Sequence, residues 1–448
     1  MAIRQSTDAN AAPEKRLFIS LLTRDISLID ALLDVVDNSI NSAIKKHRLA
    51  LKNADDYLKL LKLANGHVSR ISIFVSEATI EISDDTGGIS FADAKDDVFR
   101  FGREDGNSSE DRLSVYGIGL KRAIFKMGNR IEIVSQHPDT GFELAIDVAK
   151  WSADRTQPWK FKNLTPRKAE KPYGTSIKIS DLTDDVRTRI KDPTFLTELM
   201  TRLGETYVYY LEHLISITIN SLPVRATPLR IGTNFSSAIF SEYNVHCSVT
   251  AGIVIPPVDK FLADISGLFV FCNGRAVAFA DKSEITGWGV KGLLPTFQPK
   301  HRPFIGIVFF AATRPEALPW STTKSSINQE SLLWQLAKRK IAAASREIIN
   351  FLDRRYSEAG TLVSPEQLRA SAGKSSISLF QAIGANEAVF KAPSHPQKPI
   401  REYKSISYKA LASHVEAVKK YVGDQTMTNG DVGKYTFDYF VRNEVRGR

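Results

Sequence analysis

Apolar residues recur at helical spacing at Ile29, Leu32, Leu33, Val36 and Ile40, inside a pattern that reads as helical from Lys15 to about Leu63. Residues 70–75 and 79–83 then alternate apolar and polar positions, which predicts two antiparallel strands. Residues 99–116 are polar and glycine-containing and read as a mobile loop. Helical spacing returns over 117–127, and 130–136, 142–148 and 174–180 read as further strands. Helices on one face of a mixed sheet make a two-layer α+β plan. After residue 181 a second unit is expected, with strands at 215–219, 267–272 and 304–310 and a helix over 330–355. Residues 361–365 read as a connector and 393–399 as a proline-rich linker. Residues 405–445 carry two helical stretches separated by Asp424-Gln425-Thr426. There are no internal repeats.

Composition narrows the class. The 448 residues suffice for two or three domains, and 43% hydrophobic with 25% charged residues is ordinary for a globular protein. No stretch approaches about 18 consecutive apolar residues, so no membrane span is expected. Residues 1–14 are polar and lack the apolar core of a secretory signal. Cys247 and Cys272 are the only cysteines, which fits a cytoplasmic location and offers no disulfide or metal framework. The eight histidines show no ligand spacing, which argues against zinc. Of the net charge of +10, +8 lies in residues 338–448, a basic region suited to phosphate backbones, an acidic partner or a solvated helical surface.

Four short segments carry chemistry. Asp34 and Asn38 stand one helical turn apart, an acid that can orient water and an amide that can hold a metal. Ile80-Glu81-Ile82-Ser83-Asp84-Asp85-Thr86-Gly87-Gly88 ends a strand on an acid and turns on glycines, so a carboxylate meets a backbone that can approach a flat ring. Tyr116-Gly117-Ile118-Gly119-Leu120-Lys121 puts two glycines at a helix start, where N–H groups and the helix dipole favour phosphate. A dinucleotide fold would want those glycines directly after a first strand, and a long polar loop precedes them instead. Gly174-Thr175 heads a strand and supplies a hydroxyl. Ala370-Ser371-Ala372-Gly373-Lys374-Ser375 ends like a P-loop, but Leu368 stands where the earlier glycine is required, so no phosphate cradle is expected there.

In order and spacing, Asp-x-x-x-Asn, Asp-x-x-Gly-Gly, Tyr-Gly-x-Gly-Leu-Lys and Gly-Thr resemble the four motifs of the GHKL ATPase superfamily. That superfamily includes gyrase-type topoisomerases, large heat-shock chaperones, histidine kinases, MutL-type repair proteins and Microrchidia (MORC) ATPases. The resemblance covers roughly residues 15–182 and implies a Bergerat fold, with ATP held between helices and a mixed sheet under a lid. It implies Asn38 as the Mg²⁺ ligand, Asp84 as the adenine reader with Gly88 beside it, and Thr175 as the adenine-side hydroxyl. Gly117, Ile118, Gly119, Leu120 and Lys121 would cradle phosphates. Three positions depart from the pattern. Asp34 stands where the hydrolytic acid is usually Glu, one methylene longer, which implies slow turnover; Thr86 and Ser114 each replace a glycine.

Phe269-Val270-Phe271-Cys272-Asn273-Gly274-Arg275-Ala276-Val277 resembles the Asn-Gly-Arg strand of the S5-like transducer domain in gyrase, MutL and MORC-type proteins. Asn-Gly also reads as a type I′ hairpin turn. In those relatives a transducer lysine reaches the γ-phosphate, which makes Lys324, in Leu318-Pro319-Trp320-Ser321-Thr322-Thr323-Lys324, the second catalytic residue expected beside Asp34. The resulting layout is an arm (1–15), an ATP-binding domain (16–182), a transducer (183–357) and a basic helical region (358–448). The expected function is an ATP-gated switch that forms a homodimer and acts on DNA or a protein partner through its basic end, in DNA maintenance or defence. A non-hydrolysing ATP-gated binding protein, a chaperone-like protein and a histidine-kinase-like protein are the alternatives.

Overall fold

The computed structural model describes residues 14–47, 49, 51, 54–60, 68–101, 113, 117–154, 159–254, 262–359, 375–384, 387–392 and 405–445. All but the end of the expected arm, most of the 99–116 loop including Ser114, the 361–365 connector, Gly373-Lys374 and the 393–399 linker lie outside the described residues. The chain divides into two compact units, one within Met1–Pro393 and one within Ser394–Arg448.

The first unit begins with helices α1 (Lys15–Arg24), α2 (Leu28–Lys46) and α3 (Ala54–Leu60). Ser27 starts α2 by accepting the N–H of Asp30 at 3.0 Å, the N-cap bond that a helix start requires. Strands β1 (Ser69–Val75) and β2 (Thr79–Asp84) follow, then a single helical turn, α4 (Phe91–Asp93), which runs into a π-helix over Ala94–Val98. Helix α5 (Gly119–Met127) leads to β3 (Gly128–Gln136), β4 (Gly141–Asp147), α6 (Val148–Ala153), β5 (Thr165–Arg167) and β6 (Gly174–Leu182). Helices α7 (Asp184–Lys191), α8 (Phe195–Thr206) and α9 (Val208–Leu211) precede β7 (Ile215–Ile219) and β8 (Leu222–Pro223). The eight strands form one mixed sheet in the order β5-β4-β3-β6-β2-β1-β7-β8.

The register of this sheet explains its two layers. Ile219, Ile73, Ile82, Ile177, Ile133 and Leu144 are paired in one row across six strands, and all of them are buried. Their alternating neighbours Ser72, Phe74, Glu132 and Lys178 point the other way, and of these Phe74 is 49% exposed. The buried face is covered by α2 and α5. Asp84 shares the parity of Ile80 and Ile82, so it faces the helix layer at the end of β2.

One strand departs from the expected layout. Residues 215–219, assigned from sequence to the second unit, pair in parallel with β1 and complete the first sheet. Their buried positions Ile215, Ile217 and Ile219 match a half-covered sheet, and alternation reports a buried face without saying in which sheet.

The second sheet has the order β12-β11-β13-β10-β9-β14, built from β9 (Arg230–Glu242), β10 (Val245–Val254), β11 (Gly267–Cys272), β12 (Arg275–Asp281), β13 (Phe304–Ala311) and β14 (Ser376–Ser378). Strands β11 and β13 run parallel and are buried at every position, as strands covered on both faces are. Helix α10 (Leu262–Ile265) precedes β11, and the long helix α11 (Leu332–Ala359) packs on β9, β10 and β13. Tyr57 of α3 and Tyr209 of α9 meet Phe309 of β13 at 5.6 and 5.5 Å between ring centroids, so one hydrophobic core runs through both sheets. The β11–β12 turn has Asn273 at φ 49° and Gly274 at φ 84°, the left-handed pair that a type I′ turn demands. Residues 376–378, expected in the C-terminal helical region, instead pair with β9.

The compact unit within Ser394–Arg448, described over residues 405–445, contains helices Ala412–Val422 and Asn429–Phe440, the two expected stretches. Gly423 ends the first at φ 80°, and Thr428 caps the second by accepting the N–H of Asp431.

Gly174 opens β6 where a Cβ would lie 1.8 Å from the carbonyl oxygen of Asp84. Gly174→Ala is therefore expected to cost about 1–3 kcal/mol through overpacking, measured by urea unfolding.

Candidate functional site

Helix α2 delivers polar side chains to two environments. Asp34 and Asp37, three positions apart, are 2% and 1% exposed, whereas Asn38 is half-buried and lines a cavity of about 860 Å³. Asn38 Nδ2 donates to the Asp34 carbonyl at 2.9 Å, so the amide is tethered through its nitrogen and its ligating oxygen end remains.

Of the residues expected at the site, Asn38, Gly88, Gly117, Gly119, Leu120 and Lys121 line this cavity. Gly88 at φ 73° and Gly117 at φ 63° occupy left-handed backbone, and a Cβ on Gly88 would fall 2.0 Å from the Gln136 carbonyl oxygen. Ile118 is the N-cap residue of α5, whose N-terminus therefore opens at Gly119 on the cavity. Lys121 is 3% exposed and donates to the Val98 carbonyl at 2.9 Å, at the end of the π-helix. Five lysine or arginine side chains line the cavity against three aspartates, a basic excess suited to a polyphosphate.

Asp84 and Thr175 lie together beside the cavity, outside its lining. Asp84 Oδ2 accepts from Ser39 Oγ at 2.7 Å, and Oδ1 accepts from Thr86 N–H at 3.0 Å, Thr86 Oγ1 at 2.6 Å and Thr175 N–H at 3.3 Å. The backbone of Thr175 thus meets the acid, while its hydroxyl pairs with Ser135 Oγ at 3.0 Å. Thr86, at the position of a family glycine, ties the carboxylate into its own turn.

Behind the cavity, two acids and three cations share a buried cluster. Asp37 Oδ1 accepts from Arg275 Nε at 3.0 Å, and Asp37 Oδ2 from Lys324 Nζ at 2.5 Å. The Tyr207 hydroxyl stands 2.7 Å from Asp37 Oδ1 and 2.8 Å from the Leu33 carbonyl and can donate to either. Arg275 also donates to the carbonyl of Lys324, a residue held at φ 55°, left-handed backbone that costs a non-glycine residue about 1–3 kcal/mol. Lys324 Nζ reaches Asp34 Oδ1 at 3.4 Å. Asp34 Oδ2 accepts from both Arg122 Nη2, at 2.5 Å, and Arg122 Nε, at 3.2 Å. Burial by itself raises the Asp37 carboxyl, but Arg275 and Lys324 outweigh it and hold it below the usual carboxylate value. Burial and then Asp37 push the Tyr207 hydroxyl well above its usual range, so it stays neutral. For Arg275, burial opposes the charge and Asp37 more than restores it.

Asp34 and Lys324, 290 positions apart, therefore meet. Asp37, Arg122, Tyr207 and Arg275 were not singled out as site residues. Arg275 lies within the quoted Asn-Gly-Arg turn and Arg122 directly follows Lys121, so both had a local signal. Tyr207 had none beyond its apolar surroundings.

Residues 26–183 match the family described as histidine kinase-, DNA gyrase B- and HSP90-like ATPase, so this segment is similar to GHKL-type ATPase domains, and its α+β architecture agrees with that group. Comparison with curated proteins yields no match.

Arg275→Met is expected to lower the unfolding free energy by about 3–5 kcal/mol in urea titration, because it leaves a buried carboxylate short of its partner. The folded-state pKa of Asp37 lies below its unfolded value. Its stabilising contribution is therefore complete above the ordinary carboxylate range, near about pH 4, and is lost as pH falls through the lower folded value. Asp37→Asn is expected to flatten that acid-side decline in unfolding curves taken between about pH 7 and pH 3.

Proposed function

We propose that this chain binds Mg²⁺-ATP in the 860 Å³ cavity and turns it over slowly, using the γ-phosphate to gate a conformational change. The observation that carries this reading is the approach of Lys324, from the loop between β13 and α11, to Asp34 and Asp37 of α2 beside that cavity. The buried cluster holds three cations against two carboxylates, so one positive charge is unmatched by any acid within it. A terminal phosphate would complete it, and its loss on hydrolysis would undo that balance.

The residues present fit Mg²⁺ of one kind. No group of three or more His, Cys, Asp or Glu among the described residues could hold a metal, so a caged ion is not supported. A single amide oxygen, from Asn38, suits an ion that arrives with phosphates and keeps most of its waters. When bound, Mg²⁺ supplies neutralisation of phosphate charge. Asp34 would orient water through Oδ1, which lacks a hydrogen-bond partner among the described residues. Asp84 and Thr175 would frame the adenine edge, and Gly117, Gly119 and Lys121 the phosphates.

Dimerisation through the N-terminal residues, a transducer role for the second sheet and action on DNA or a protein partner through the basic C-terminal residues extend the same reading. So do a cytoplasmic setting and a place in DNA maintenance or defence. They rest on the motif resemblance and on the charge excess after residue 338. No described helix is long and apolar enough to cross a membrane. A second reading, ATP-gated binding without turnover, is favoured by the Arg122 pair that occupies one oxygen of Asp34.

Phosphate release and oligomeric mass separate the two. Slow release abolished by Asp34→Asn, with a doubled mass under a non-hydrolysable ATP analogue but not ADP, is the expected outcome. Release unchanged by Asp34→Asn favours the second reading, and a monomer in both nucleotides removes the dimer. Asn38→Ala is expected to lower Mg²⁺-dependent affinity for the analogue by about tenfold, measured by titration calorimetry.

A further inference from the structure

Arg122 lies one helical turn after Gly119, and both face α2. A Cβ on Gly119 would sit 3.5 Å from Asp34 Cγ, and side chains on a helix lean back toward its N-terminus, which brings the guanidinium of Arg122 over the same carboxylate. Its two nitrogens converge on Asp34 Oδ2, and among the described residues the other charged partner of the pair is Lys324 on the far oxygen. Arg122 does not line the cavity.

Charge accounting gives this contact a consequence. Asp37 already draws on Arg275 and Lys324. Were Asp34 left to the same lysine, one ammonium would sit between two carboxylates and the cluster would hold no positive excess. A terminal phosphate arriving there would then meet a charge-balanced cluster with no cation to spare. With Arg122 on Oδ2, Asp34 is neutralised from the helix side and the charge of Lys324 remains available to an anion. The same contact fixes which oxygen of the short acid is left unbonded.

We infer that Arg122 is a positioning residue that sets the selectivity of this site for a nucleotide with a terminal phosphate and holds Asp34 with Oδ1 as its working atom. This rests on the ATP reading above. It assigns Arg122 an effect on the third phosphate and on turnover, and none on the nucleoside or the first two phosphates.

The test compares full-length wild type, Arg122→Gln and Arg122→Lys by calorimetry with ADP and with the β,γ-imido analogue of ATP, and by steady-state phosphate release. In Arg122→Gln the affinity for the analogue is expected to fall by about tenfold, with ADP affinity held within about threefold and kcat lowered by about tenfold or more. Arg122→Lys keeps the charge but loses the fork, so it is expected to retain the preference for the analogue over ADP while kcat stays reduced. Equal losses for both nucleotides, or an unchanged preference in Arg122→Gln, would overturn the inference. Should Arg122→Gln fail to fold, wild-type kcat in Arg122→Lys would do so as well. A wild-type protein that binds neither nucleotide removes the ATP reading itself, a different result from one that binds both and ignores Arg122.

Discussion

The arrangement depends on one buried carboxylate. Asp37 is 1% exposed near the middle of α2, and among the described residues the cations that pair with it come from outside the first sheet and its helices. Its cations come from β12 and from the loop before α11, as Arg275 and Lys324. The second sheet therefore docks where α2 requires it. A buried ion pair contributes little net stability compared with well-packed apolar residues, but breaking one is costly. Such a contact is better at fixing geometry than at raising stability. Here the fixed geometry is a lysine held at a left-handed φ, with its ammonium between two acids.

Helix α2 can meet this demand because it is buried nearly all round. Leu32, Leu33, Val36, Ile40 and Ala43 fill the core, Asp34 and Asp37 face the charge cluster, and Asn38, Ser42 and Lys45 face the cavity. A helix with three kinds of neighbour has no single polar face. The acid and the amide four residues apart are adjacent, the amide lining the cavity and the acid lying in the charge cluster beside Gly119 of the cavity lining. Besides the backbone bonding of α2 itself, the hydrogen bond from Asn38 Nδ2 to the Asp34 carbonyl joins them. The cavity can thus register an event at the phosphate end through the backbone of the helix that also anchors the second sheet.

Much of the first layer was legible because its strands obey a strict alternation: Ile71, Ile73 and Val75, then Ile80 and Ile82, are buried while their neighbours are not. Strands β9 and β10 escaped notice for the opposite reason. Nearly every position of β10 is buried, and Ser248, Thr250 and Gly252 sit among its apolar residues, so no period of two appears. Local pattern also cannot name a distant partner. Nothing in the sequence ties Arg275 to Asp37 across 238 positions, or Arg122 to Asp34 across 88. The glycines were visible as motifs, but their reasons were not. Gly174 is required by the carbonyl of Asp84, and Gly274 by Tyr209, whose ring would lie 2.7 Å from an added Cβ.

The shorter acid at position 34 takes its meaning from these contacts. A glutamate would carry its carboxylate one methylene farther from α2. The aspartate stays between Arg122 on one oxygen and Lys324 on the other, close enough to the helix for both to reach it. Lys324 lies nearer Asp37, at 2.5 Å, than Asp34, at 3.4 Å, so its hold on Asp34 is the weaker of the two. A terminal phosphate competing for Lys324 would draw it from Asp34 before Asp37. The buried Oδ1 of Asp34 would then be released while the tie between α2 and the second sheet persisted. Arg122 keeps the acid neutralised through that exchange, so the short side chain and the extra arginine form one device.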